Sequence, residues 1–70
     1  MLGNRRLVRI AEDFAVSQGK DIRQYKFQAV KGNKEKAHVM FEGKSQLPGD
    51  HFTVIVDLAT GRAEEIVEGN

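Results

Sequence analysis

Residues 51–58 alternate with a strict two-residue period, and this pattern constrains the fold more than any other feature of the chain. One side of the segment is wholly apolar and consists of Phe52, Val54, Val56 and Leu58. The other side is mixed and consists of His51, Thr53, Ile55 and Asp57. Such alternation is typical of a β-strand that packs one face on a core and turns the other to solvent.

Three further segments show the same period, at residues 22–31, 37–42 and 62–67. Most of their apolar positions are expected to face the core together with Val54, namely Tyr25, Phe27, Ala29, Val39 and Phe41. A turn at residues 31–36 joins the first two segments, and its Gly32-Asn33 pair is suited to positive φ. A loop at residues 43–50 precedes the third strand.

The last two strands are expected to form a hairpin around a short loop at residues 59–61, with Gly61 in the left-handed region. A three-residue loop aligns Ile66 with Val54, whereas a four-residue loop aligns Val67 with Val54. The sequence leaves both registers open.

A different period precedes the strands. Apolar residues recur there at three- and four-residue spacing, as on one face of a helix: Leu7, Ile10, Ala11, Phe14 and Ala15. Asn4 is the expected N-cap, and Gly19 is the expected residue just past the helix end.

Together these segments predict one α+β domain over residues 1–70. An N-terminal helix packs on one face of a three- to four-stranded antiparallel meander sheet, in the order α-β-β-β-β. A chain of 70 residues builds only a thin core. Because the chain has no Cys, its fold is expected to rest on packing, alone or with self-association.

The net charge of +1 indicates no class of partner, but its distribution is uneven. Residues 1–36 hold nine Lys or Arg against four Asp or Glu, whereas residues 37–70 hold two against six. A chain polarised in this way is expected to pair its halves internally or to attract a second copy. Charges at Arg9, Glu12 and Asp13 argue against a signal peptide or membrane span, and a cytoplasmic location suits the absence of Cys.

The mixed face of the predicted sheet is the leading candidate for a binding surface. Strict alternation places Val30, Met40 and Ile55 on it, beside His38 and Thr53. Apolar residues on adjacent strands form one patch, and unpaired sheet edges offer a second route by strand addition. We therefore interpret the chain as a non-enzymatic protein-interaction or regulatory domain that binds a protein partner or itself.

The alternative function is nucleic-acid binding through the basic N-terminal half, led by Arg5, Arg6 and Arg9. Tyr25 and Phe27 lie among the cations in sequence, but alternation turns them toward the helix. Base stacking requires aromatic rings exposed on the same face as the cations, so this interpretation ranks second.

No catalytic residue, cofactor or metal site is expected. His38 and His51 are predicted on neighbouring strands of the outer face, without further ligands at metal-binding spacing. Spacing places no Ser or Thr beside a His, so a nucleophilic triad is unsupported. An enzyme would require both histidines and a carboxylate to converge in a pocket.

A family resemblance adds to this interpretation. The helix residues 7–11 (LVRIA), Gly19, the strand at 25–30 and the hairpin at 52–63 (FTVIVDLATGRA) are similar to the PepSY domain family. The resemblance spans residues 7–67, and the general layout is also similar to that of cystatins. It implies a non-catalytic module that binds or restrains other proteins, notably peptidases, in exported or membrane-anchored chains.

Overall fold

The computed structural model describes residues 3–45 and 50–69. Helix α1 spans Asn4–Ser17, and a short 3-10 turn spans Ile22–Gln24. Four strands follow: β1 (Tyr25–Gly32), β2 (Lys36–Gly43), β3 (His51–Asp57) and β4 (Arg62–Glu68). They form one antiparallel sheet in the order β1-β2-β3-β4, which confirms the predicted α-β-β-β-β fold. Residues 46–49 of the predicted loop lie outside the described residues.

Helix α1 packs on the sheet through the apolar stripe that the sequence predicts. Leu7, Ala11 and Ala15 are buried at successive four-residue steps. Ile10 and Phe14 are partly buried beside them. The two small Ala side chains let the helix axis lie close to the sheet, so the stripe sets the distance between the two layers.

The ends of helix α1 differ in how well the sequence predicted them. Gly19 has a φ of +91°, and the Lys20 amide donates to the Ala15 carbonyl at 3.0 Å, which closes the last turn as expected. The N-cap is Gly3 rather than the predicted Asn4, which is the first helical residue. None of the helices in the described residues has the length and apolar character of a membrane span.

The inner face of β2 and β3 supplies most of the core. Five side chains on it are almost fully buried: Val39, Phe41, Phe52, Val54 and Val56. Phe41 and Phe52 stack with ring centroids 5.0 Å apart, and Tyr25 meets Phe52 edge-on at 4.8 Å. Burial of each such side chain contributes about 1.5–3 kcal/mol. The predicted inner positions of β2 and β3 are therefore confirmed.

A β-bulge in β1 changes the predicted alternation. Gln28 is an extra residue between the pairs that Phe27 and Ala29 make with β2. Beyond it Ala29 turns to the outer face, and Val30 pairs with Val39 on the inner face and packs against the core. The predictions of Val30 outside and Ala29 inside are therefore wrong. The bulge places the larger apolar side chain against the core, which buries more apolar surface than strict alternation does.

Strand β4 contains a second bulge, at Glu64. The turn before it comprises the four residues 58–61 and includes Gly61, whose φ of +72° is left-handed as predicted. The bulge shifts the pairing by one residue, so that Ile66 pairs with Val54. One of the two predicted registers is thus confirmed, although a longer loop and a bulge produce it.

Helix α1 covers only part of the inner face. It lies over β3 and reaches β2 and β4 on either side, whereas β1 extends beyond it. Phe27 faces inward from β1 and contacts the ring of Phe41 at a centroid distance of 6.4 Å, yet 44 % of its surface is exposed. Phe27 therefore lies at the margin of the core that the sequence predicted it to join.

Candidate functional site

The outer face of the sheet carries an apolar surface that no described element covers. Strand pairing aligns one residue from each strand in a row across the sheet, three of them apolar and one a threonine, which we call the apolar row: Ala29, Met40, Thr53 and Val67. Ile55 stands beside this row, two residues along β3. None of the five belongs to the core cluster or packs against it. We call these five residues the outer patch.

The structure brings together four of the five residues predicted for partner binding: His38, Met40, Thr53 and Ile55. It separates Val30 from them, because the bulge turns Val30 inward. Ala29 takes its place on β1, and Val67, which is 47 % exposed, extends the patch to β4. The signal for Val67 was present in the sequence, since the register that aligns Ile66 with Val54 turns the next residue outward.

Charged side chains flank the outer patch: the β1 edge carries lysines, whereas the β4 edge carries Glu65 and, at the level of Asp57, Arg62. Beside the apolar row, strand pairing aligns a second row, the charged row: Lys31, His38, Ile55 and Glu65. Lys31 lies on the β1 edge and Glu65 on the β4 edge, and neither forms an ion pair within residues 3–45 and 50–69. Lys26 adds a second positive charge to the β1 edge. The uneven charge of the sequence thus becomes a charge difference across the sheet.

Lys36 links three strands at one end of the outer face. Its Nζ lies 3.1 Å from Oδ2 of Asp57 on β3 and also contacts Glu64, the bulge residue of β4. Oδ1 of Asp57 accepts hydrogen bonds from the amides of Ala59 and Thr60 at 2.8 and 3.1 Å. The Lys36 ammonium and these two amides lower the pKa of Asp57 from 3.8 to about 2. The cluster holds the β3–β4 turn against β2.

The two histidines lie on the outer face, as predicted, but far from each other. His38 pairs with Ile55, whereas His51 pairs with Glu42, four residues further along β3. Four residues of strand correspond to roughly 13 Å. Within the described ranges, no three metal-binding side chains of His, Asp or Glu come close enough to hold an ion.

One depression lies on the helix side of the sheet, beside the β1–β2 turn. It is an open groove of about 750 Å³ with an apolar floor that consists of Leu7, Val30, Ala37 and Leu58. Lys34 stands on its rim, and so does Lys31, an edge residue of β1 whose pairing with His38 assigns it to the outer face. The lining of the groove includes no carboxylate, histidine or hydroxyl. The groove therefore offers apolar contact and positive charge but no acid–base pair.

The three arginines predicted for nucleic-acid binding are exposed on helix α1: Arg5, Arg6 and Arg9. Arg5 and Arg9 line a shallow depression of about 550 Å³ between the helix and β1, together with the exposed ring of Phe27. The carboxylates of Glu12 and Asp13 line the same depression. An aromatic ring and two cations thus share one surface, and two carboxylates that would repel a phosphate lie beside them.

Compared with models of protein families, with curated protein sequences and with solved structures, the chain gives no significant match. The resemblance of residues 7–67 to PepSY domains and cystatins therefore stays a prediction.

We expect the Asp57 carboxylate to give the fold part of its acid sensitivity. Because its folded pKa of about 2 lies below the ordinary 3.8, the charged form stabilises the fold above about pH 4, and this stabilisation is lost as the pH falls toward 2. Asp57→Asn keeps the oxygen that accepts from Ala59 and Thr60 but removes the charge. Melting temperatures of the variant should therefore fall less steeply than those of the wild type between pH 4 and 2.

Asp13→Asn is the matched control, because it removes an exposed carboxylate from helix α1 that has no ion pair in the described part of the chain. Equal slopes for the wild type and Asp57→Asn would contradict the assigned role of the Lys36 cluster.

Proposed function

We propose that this chain is a small protein-interaction domain without catalytic activity, which binds protein through the outer patch. One observation carries the proposal: a row of three apolar residues and Thr53 crosses all four strands on the face opposite to α1, with Val67 about half exposed at its end. Contiguous apolar surface costs a soluble protein solubility unless a partner covers it, and such patches mark interaction sites.

The face of the sheet is a better docking surface than its edges. Both edge strands contain a bulge, at Gln28 in β1 and at Glu64 in β4. A bulge leaves a residue unpaired and increases the local twist, which hinders the addition of a further strand. Lys26 and Lys31 place additional charge along the β1 edge. The two central strands, which carry Met40, Thr53 and Ile55 of the outer patch, pair without a bulge.

A binding role also suits the side-chain chemistry better than an enzymatic role. His38 and His51 are separated along the sheet, and the groove beside the β1–β2 turn offers lysines and apolar side chains without a partner for proton transfer. We place the domain in the cytoplasm, because a cysteine-free sequence is in keeping with a reducing compartment.

A photoreactive benzoylphenylalanine at Ile55 tests this proposal in cells that express the full chain. Irradiation should cross-link the chain to one or a few discrete proteins. The added mass should equal that of a second copy of the chain or that of a different protein. The same residue at Val16 is the control, since Val16 is an apolar side chain on helix α1 that is 54 % exposed. It should give no such adduct.

A charge in the patch provides the second control. Met40→Lys, added to the chain that carries benzoylphenylalanine in place of Ile55, should lower the adduct yield about tenfold or more. An unpaired charge must then be buried in the interface. Equal adduct yields from the photoreactive residue at positions 55 and 16, or no protein adduct from either position, would rule out the outer patch as a protein-binding surface.

Nucleic-acid binding is the second candidate, and one observation favours it. Phe27 keeps much of its ring exposed in the depression lined by Arg5 and Arg9, so an aromatic ring and two cations share a surface. Bases stack on exposed rings while cations contact the phosphates. The carboxylates of Glu12 and Asp13 in the same depression weigh against this function.

Retention of the chain on single-stranded DNA or RNA tests this second candidate. Binding by this surface should weaken with rising salt and should be lost in the triple variant Arg5→Ala, Arg6→Ala, Arg9→Ala. Phe27→Leu should weaken it as well, whereas Arg62→Ala on β4 should not. An absence of retention at low salt would exclude the candidate.

A further inference from the structure

We propose that the protein bound by the outer patch is a second copy of this chain, in a face-to-face dimer with a two-fold axis parallel to the strands between β2 and β3. This inference rests on the proposed function and names its partner. It is carried by the order of charged and apolar residues across the outer face, which is complementary to itself under that rotation.

The rotation sets out which residues meet. A two-fold axis along the strands keeps each residue at its level in the sheet and reverses the strand order. Strand β1 of one copy then lies over β4 of the other, and β2 lies over β3. Two packed sheets lie about 10 Å apart with their strands turned by about 30°, so the axis follows the mean of the two strand directions. Rows close to the centre of the patch therefore face their own counterparts.

The apolar row matches itself under this rotation. Ala29 lies over Val67 of the second copy, and Met40 lies over Thr53 of the second copy, once on each side of the axis. Ile55 of each copy lies beside these contacts, over His38. The dimer therefore buries Met40, Thr53 and Ile55 near its centre and Ala29 and Val67 toward its edges.

The charged positions nearest the outer patch are complementary under the same rotation, whereas Lys26 and Arg62 lie over uncharged residues of the second copy. Lys31 lies over Glu65 of the second copy, and the symmetry makes this pair twice. Neither residue has an ion-pair partner within its own copy among the described residues. Glu42 lies over His51 of the second copy in the next row outward. Two long side chains, one from each sheet, suffice to span the spacing at the edges.

The other face-to-face arrangement fits less well. An axis perpendicular to the strands places β1 over β1, which brings the positively charged edges of both copies together. When that axis lies midway between the apolar row and the charged row, it also sets Lys31 over Ala29 and Glu65 over Val67, so that charged side chains are buried against apolar ones. The observed order of residues therefore favours the axis along the strands.

The size of the face indicates a weak, concentration-dependent dimer. Four strands about 4.8 Å apart and seven residues long, at about 3.3 Å per residue, present roughly 19 by 23 Å, or about 440 Å². Stable interfaces bury about 800 Å² on each partner. We therefore expect a dissociation constant in the micromolar range or above.

Charge reversal at the edges provides a sharp test by sedimentation velocity on the full chain at low salt, from about 10 μM to about 1 mM. The wild type should change from the 7.8 kDa monomer to a dimer and form nothing larger. Lys31→Glu alone and Glu65→Lys alone should each raise the dissociation constant about tenfold or more, because both symmetric pairs become repulsive.

An equimolar mixture of the two variants should dimerise again. In a mixed dimer the two acidic positions of one chain lie over the two basic positions of the other, so both pairs are attractive.

Three controls accompany this test. Lys34→Glu and Glu12→Lys make the same charge changes away from the outer face and should leave the dimer unchanged. The double variant Lys31→Glu, Glu65→Lys should dimerise like the wild type, and circular dichroism should report equal folding for all chains.

A chain that stays monomeric at all concentrations would overturn the dimer; the proposed function would survive this result if Ile55 cross-links to a different protein, and would fail if it cross-links to none. A dimer that ignores both charge reversals would overturn the axis. Open-ended larger species would mean addition at the sheet edges instead, and would overturn the inference as well.

Discussion

One helix covers only one face of a four-stranded sheet, and the remaining features of this fold follow from that constraint. Helix α1 has 14 residues, about 21 Å of length, and its buried stripe packs on the fully buried side chains of β2 and β3. Strand β1 extends past the helix, which leaves Phe27 at the margin of the core. The opposite face has no covering element in the described structure, and there an apolar row crosses the sheet.

The helix, the strands and the centre of the core were predictable from the sequence because each has its own local period. The two bulges were not predicted, although the same sequence pattern accompanies both of them. Apolar residues three apart, Phe27 with Val30 and Ala63 with Ile66, face inward together. Two such residues share one face of a strand only if an extra residue lies between them. Where the extra residue is accommodated depends on the pairing with the neighbouring strand, which is not local information.

The candidate surface was predictable only in part from the alternation of apolar residues and the distribution of charge. Alternation placed Met40, Thr53 and Ile55 correctly, because β2 and β3 are regular, and it misplaced Val30, because β1 is not. The uneven charge of the two halves was evident in the sequence, but the positions of the charged residues on the folded sheet were not. A meander puts its first and last strands at opposite edges, so Lys31 and Glu65 end at opposite sides of one face. Self-complementarity arises from that topology.

The central claim is that the two faces of β3 have different roles: one builds the core and the other is free to bind. Urea unfolding of Val54→Ala and Ile55→Ala in dilute solution tests it with two neighbouring residues. Val54→Ala should lower the free energy of unfolding by about 2 kcal/mol or more, because it leaves a cavity in the core. Ile55→Ala should lower it by less than about 1 kcal/mol, the scale of a cross-strand contact. Equal losses for the two variants would show that the outer face belongs to the core, and would contradict the account.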